Sequence, residues 1–184
     1  MPPTVAGTNC ITQSEDVLVD TIAGLAAFQA FTGTANSAAA KARIYVGDIP
    51  RTAEDQDHWT DAEIAAIYPC CIICPPPDGN EAQFRYTANS GFYDFTVNLR
   101  FLLRFERFVP ASTDEQNVIR TIKNQVGDIA EDLAEAAGVG DKFAATDIMT
   151  NGVPYRSNFG RAEPQGDICG WELLLAREIQ EGGQ

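Results

Sequence analysis

Three cysteines within five positions, Cys70, Cys71 and Cys74, are the residues with the most obvious capacity for chemistry. Cys71 and Cys74 have the C-x-x-C spacing that serves both zinc and dithiol redox sites. Zinc takes four ligands, yet no second C-x-x-C occurs, Cys10 and Cys169 are remote in sequence, and His58 is the single histidine. A dithiol redox motif sits at a helix N-terminus, whereas these thiols belong to the apolar run Pro69-Cys-Cys-Ile-Ile-Cys74, closed by Pro75-Pro-Pro. Buried thiols behave as small hydrophobes, so the expectation is core packing, with no metal and no cofactor. An odd cysteine count without a secretion signal is expected of reduced thiols in a cytosolic compartment.

The next constellation is the acidic group Glu54, Asp55, Asp57 and Asp61, with His58 and Trp59 inside it. Carboxylates at that density could hold Mg²⁺ or Ca²⁺, but the calcium-loop register with its central glycine and terminal glutamate is missing. His58 beside Asp57 could act as a general base, but no G-x-S-x-G elbow supplies a nucleophile. No glycine-rich phosphate loop occurs. The expectation is a solvated loop with no catalytic residues. Its members Glu54, Asp55, Asp57, His58 and Trp59, together with Arg156 and Arg161 further on, are candidates for docking a partner.

The third group lies on a strand. Between Gly91 and Val109 one parity reads Tyr93, Phe95, Val97, Leu99, Phe101, Leu103, Phe105, and the other reads Asp94, Thr96, Asn98, Arg100, Leu102, Arg104, Glu106. Period-two alternation of this length predicts a strand with one apolar and one polar face. At roughly 3.3 Å per residue it would span about 60 Å, more than one domain of this size needs. The strand must bend, or project and pair with another chain. Asp94, Asn98, Arg100, Arg104 and Glu106 are accordingly candidates for an inter-subunit or lumen-facing surface; ordinary cross-strand charge pairs are the competing reading.

Around these groups the elements read as follows. Thr12-Gln-Ser-Glu15 resembles a capping box, and Leu18, Ile22, Leu25 and Phe28 follow at helical spacing until Gly33. Residues 1–11 precede it as an extended arm. Ala42-Arg-Ile-Tyr-Val46 predicts a short strand, residues 47–68 a charged loop excursion with a helical turn or two near 61–67, and 69–74 a buried strand. Ser112-Thr-Asp-Glu115 opens a second helix carrying Val118, Ile122, Val126, Ile129 and Leu133 until Gly138. One or two strands flank Asn151-Gly152, and 167–180 alternates again, with Cys169, Trp171, Leu173, Leu175 and Ile179 on one parity. The order predicts a single α+β domain over 1–184: an antiparallel sheet with long hairpins packed against two amphipathic helices.

Charge limits the partners. Thirteen Lys+Arg against twenty-six Asp+Glu give a formal net charge of −13, which repels nucleic-acid phosphates and anionic membranes. The plainer reading is that acidity simply keeps the protein soluble; the alternative is a surface that must let DNA pass without holding it. No apolar run approaches the ~20 residues of a membrane span.

In order of elements and in several local sequences the chain resembles the tail-terminator (tail-completion) proteins of long-tailed bacteriophages. The residues that carry the resemblance are the helix from Leu18 to Phe28, the strand Arg43-Ile-Tyr-Val46, the strand from Phe92 to Phe108, the capped helix 113–137 and the closing Gly170-Trp-Glu-Leu-Leu-Leu175. The excursion 47–68 departs from the family pattern. The resemblance implies a virion structural protein, not an enzyme. Members form a hexameric ring on the tail tube, halt its polymerisation and present a surface to the head connector. It thus implies a homo-oligomer in contact with tail-tube and connector or neck proteins, with DNA passing through, located in the tail-neck region of the virion and assembled in the host cytoplasm. Competing readings are a head-completion, neck or tail-tube subunit, a metal-dependent hydrolase built on the 54–61 carboxylates, and a small binding module using the Arg156/Arg161 loop.

Overall fold

A computed structural model describes residues 5–47, 62, 66–75, 79, 82–87, 92–107, 115–138, 149–151 and 167–182. The chain begins with three helices: α1 (Cys10–Gly24), α2 (Ala26–Thr32) and α3 (Ser37–Lys41). Helix α1 starts earlier than the Thr12 expectation. Asn9 is its N-cap, accepting from Ile11 N and Thr12 N at 3.1 Å each, while Thr12 sits at the third helical position and returns the bond through its hydroxyl. The capping box is real but is shifted three residues upstream. Gly24 ends α1, Leu25 is extended (φ −69, ψ 129), and α2 restarts at once. Gly33 closes α2 in the left-handed conformation (φ 66), where a glycine avoids a Cβ penalty.

Strands β1 (Ile44–Val46) and β2 (Cys70–Cys74) follow, then β3 (Ala82–Thr87), β4 (Phe92–Arg107), the long helix α4 (Glu115–Gly138), β5 (Met149–Asn151) and β6 (Asp167–Gly182). The strand order is β1-β2-β4-β6-β5, with β3 also paired to β4. β1 and β2 run parallel, Ile44 opposite Cys71 and Val46 opposite Ile73. Among residues whose burial is described, 65% are helical, and their strands are this parallel pair.

The expected antiparallel sheet with long hairpins on two helices is therefore corrected. The sheet is mixed, and four helices, not two, are described alongside it. The physical reason lies in the excursion. Adjacent parallel strands cannot be joined by a tight turn and need a crossover of a dozen or more residues. The stretch between Val46 and Cys70 is that crossover. A strand with an apolar run such as Cys70-Cys-Ile-Ile-Cys74 suits burial on both faces, which is where parallel strands are found.

The main core lies on the helix side of this pair. Leu18, Ile22 and Ala23 of α1, Leu25 at the break, Phe28 and Phe31 of α2, Ala40 of α3, Ile44, Cys71 and Ile73 of the strands, and Val126, Ile129 and Leu133 of α4 form one cluster. Phe28, Leu18 and Ile22 are fully buried. Buried hydroxyls inside the helices are satisfied locally: Ser14 donates to Cys10 O at 2.6 Å, Thr21 to Val17 O at 2.7 Å and Thr32 to Phe28 O at 2.9 Å. Leu25, the N-cap residue of α2, offers no capping side chain. Asp132 of α4 supplies the cap from a distance, its carboxylate accepting from Ala27 N at 2.9 Å.

Candidate functional site

β2 separates two apolar clusters, and this decides what its thiols can do. Alternate residues of a strand face opposite sides, so positions three apart never share a face. Cys71 lies in the helix-side cluster, whereas Cys70 lies in a second cluster with Tyr45, Ile67, Tyr68 and Ile72, against which Cys74 packs. The C-x-x-C pair thus straddles the sheet, and two positions ~10 Å apart along a strand exceed the reach of a disulfide. Cys70 and Cys71 are wholly buried, and neither forms a disulfide. Burial pushes the Cys71 thiol well above its ordinary value, and the neighbouring Cys70 and Cys74 push the same way. A proton held that firmly makes a poor nucleophile and a poor ligand. Among the described residues no group of three or more His, Cys, Asp or Glu side chains is arranged to hold a metal ion.

The second cluster gives the far face of β2 a cover. Arg43 reaches from just before β1 to the end of the crossover, donating through Nη1 to Ala66 O at 2.8 Å and to Tyr68 O at 3.4 Å. Tyr45 is buried here, and its hydroxyl is pushed upward by burial and by Cys70, with Arg43 pulling the other way. The tail end of the 47–68 excursion, at Ile67 and Tyr68, is therefore part of this second cluster. Glu54, Asp55, Asp57, His58, Trp59 and Asp61 lie outside the described residues, as do Arg156 and Arg161.

Asp94, Asn98, Arg100, Arg104 and Glu106 all fall within β4. Asp94 is opposite Arg85 on β3 and Gln180 on β6, a register that places opposite charges on adjacent strands. Arg100 is opposite Cys74 and Leu174, and Arg104 is opposite Cys70 and Gly170. Asn98 is opposite Ala176 and Glu106 opposite Ile168. Both arginines are thus in register with the β2 positions Cys74 and Cys70 of the second apolar cluster.

The larger finding concerns β4 itself. The sequence leaves this strand either to bend or to project and pair with another chain. Within the chain, β6 pairs with it from Phe92 to Arg107, and the opposite side is taken by β3 over 92–97 and by β2 over 100–104. The strand is long because it serves two partners end to end on one side and one long partner on the other. Among the described residues the sheet edges are β1 and β5 at the ends of the strand order, together with the outer sides of β3 and of the part of β6 that β5 does not cover. The outer side of β6 meets β5 at Glu172, Leu173 and Leu174; among the described residues its remaining positions have no partner on that side, and neither does the outer side of β3. The Ala82–Thr87 strand goes unmarked in the sequence, and the alternation over 167–180 does not tell which part of β6 lacks a partner, because pairing partners are a property of topology and leave no local mark.

No protein-family model matches the chain, and no curated protein matches its sequence.

Proposed function

We propose that this chain is a virion structural protein of a long-tailed bacteriophage, a tail terminator that assembles as a ring on the tail tube, stops its growth and offers a surface to the head connector. What supports the reading is the run of elements: opening helix α1, short strand β1, sixteen-residue β4, long helix α4 and closing strand β6. These are the elements that carry the resemblance to tail terminators. The acidity fits the same role. With a net charge of −13 per copy, a ring around a channel repels DNA phosphates and lets the duplex slide.

The test is a tube-length assay. The purified chain is added to polymerising tail-tube protein from the same phage, and lengths are measured by electron microscopy. The reading expects capped, shortened tubes with one extra density at one end. Tubes of unchanged length and bare ends would refute it, and long cylinders made of this chain alone would identify a tube subunit instead.

A further inference from the structure

The described sheet ends in a three-stranded blade in which β3 and the C-terminal half of β6 flank the N-terminal half of β4. Its rows read Ala82–Val97–Arg177, Phe84–Phe95–Ile179, Arg85–Asp94–Gln180 and Tyr86–Tyr93–Glu181. β3 and β6 are both antiparallel to β4, so they run in the same direction as each other. Each has an outer side without a partner among the described residues, over 82–87 and over 175–182. Unpaired strand edges are templates for another strand.

We propose that copies of this chain associate head to tail, the outer edge of β6 at 175–182 pairing in parallel with the outer edge of β3 at 82–87 in the next copy. The occupant is a second copy because one contact then satisfies both kinds of edge. The two edges lie on opposite sides of one blade, run in the same direction and are similar in length, whereas a foreign strand would complete one edge and leave the other open. A contact between two different surfaces is heterologous, the kind that builds rings when the rotation closes. Charge permits the approach. The 82–87 edge carries Arg85 alone and the 175–182 edge carries Arg177, Glu178 and Glu181, a net of +1 against a net of −1, so the two edges do not repel each other although the chain as a whole is acidic. Registers that keep strand parity set the Phe84 and Tyr86 positions beside Ile179 and Glu181, and the Arg85 position beside Glu178 or Gln180. The proposal specifies the lateral contact of the ring proposed above, and its partner does not depend on the identity of the tail.

Mixed-chain cross-linking tests it. One full-length chain carries Arg85→Cys and a second carries Gln180→Cys or Glu178→Cys, each checked by circular dichroism. Mild oxidation of the mixture is expected to give a disulfide-linked dimer that neither chain gives alone, since Cys10 and Cys74 are present in both. Absence of any mixture-specific dimer from both pairings overturns the proposal. Hydrogen exchange on the unmodified chain gives a second reading: amides of 82–87 and 175–182 are expected to gain protection on going from dilute to concentrated protein, and unchanged protection at both edges overturns it. A ring seen by microscopy with neither signal would remove this contact and leave ring formation standing on another surface. A monomer at every concentration would remove both.

Discussion

Phe28 and Ile22 have no exposed surface, so truncating either leaves a cavity in the helix-side core. Phe28→Ala is expected to cost about 3–5 kcal/mol, and Ile22→Val about 1 kcal/mol, both read from chemical denaturation. At the N-terminus the limits are steric. A Cβ on Gly7 would come within 2.6 Å of backbone atoms of Thr12 and Gln13. Gly7 N donates to Asp16 Oδ2 at 2.8 Å, and Gly7→Ala is expected to displace the arm and lose that bond. Asn9→Ala removes the side chain that caps α1, at a cost of about 1 kcal/mol. The buried thiol predicts a pH dependence. Cys71 has a raised pKa in the folded chain, so above the ordinary thiol range the unfolded chain releases a proton that the folded chain retains. Stability is then full below that range and falls as pH rises through it. Cys71→Ala should flatten the decline measured by denaturation between about pH 8 and pH 10; an unchanged slope would place its origin elsewhere. In the native state Cys70 and Cys71 should resist thiol reagents at neutral pH, with labelling confined to less buried positions.

At the scale of elements, Asp132 does what no residue near α2 can. Its carboxylate caps the α2 N-terminus from α4, 105 positions away. Asp132→Ala is expected to cost about 1 kcal/mol and to raise hydrogen exchange at Ala27 and through α2. Local signals in the sequence mark the helices well. Gly33 and the spacing of Val126, Ile129 and Leu133 each act within a turn or two of the residue concerned, and that is why they can be read without a structure, whereas the capping box expected at Thr12–Glu15 is formed by Asn9 and Thr12. The break at Leu25 is less legible, because Leu18, Ile22, Leu25 and Phe28 keep their spacing across it and all reach the same core. The sheet is harder still. The alternation of 92–107 identifies β4 as a strand but says nothing of how many neighbours it has. Its length invites the idea of a partner in another chain, when β2 and β3 share one side and β6 fills the other. The direction of β1 against β2 is equally silent locally; only the length of the 47–68 segment hints that the chain must cross over. The C-x-x-C spacing is legible, because its apolar run closed by prolines reads as a buried strand, and in an extended strand the spacing places the two thiols on opposite faces.

For the whole molecule, acidity and edges pull in different directions, and their balance sets the conditions for assembly. A chain of net charge −13 repels its own copies, and salt screens that repulsion over a Debye length of about 8–10 Å at physiological ionic strength. Association should therefore strengthen from low to moderate salt, the reverse of the response of a protein held to DNA by counterion release. Sedimentation velocity across a salt series checks this, and dissociation on adding salt would count against edge pairing between acidic copies. DNA retention should be negligible at any salt concentration in a gel-shift assay. The central claim is assembly into one closed ring, and native mass spectrometry with negative-stain microscopy of the purified full chain at micromolar concentration, with and without tail tubes, tests it most directly. The account predicts a single discrete oligomer that appears as a ring and sits on tube ends. Monomer alone under both conditions would contradict it.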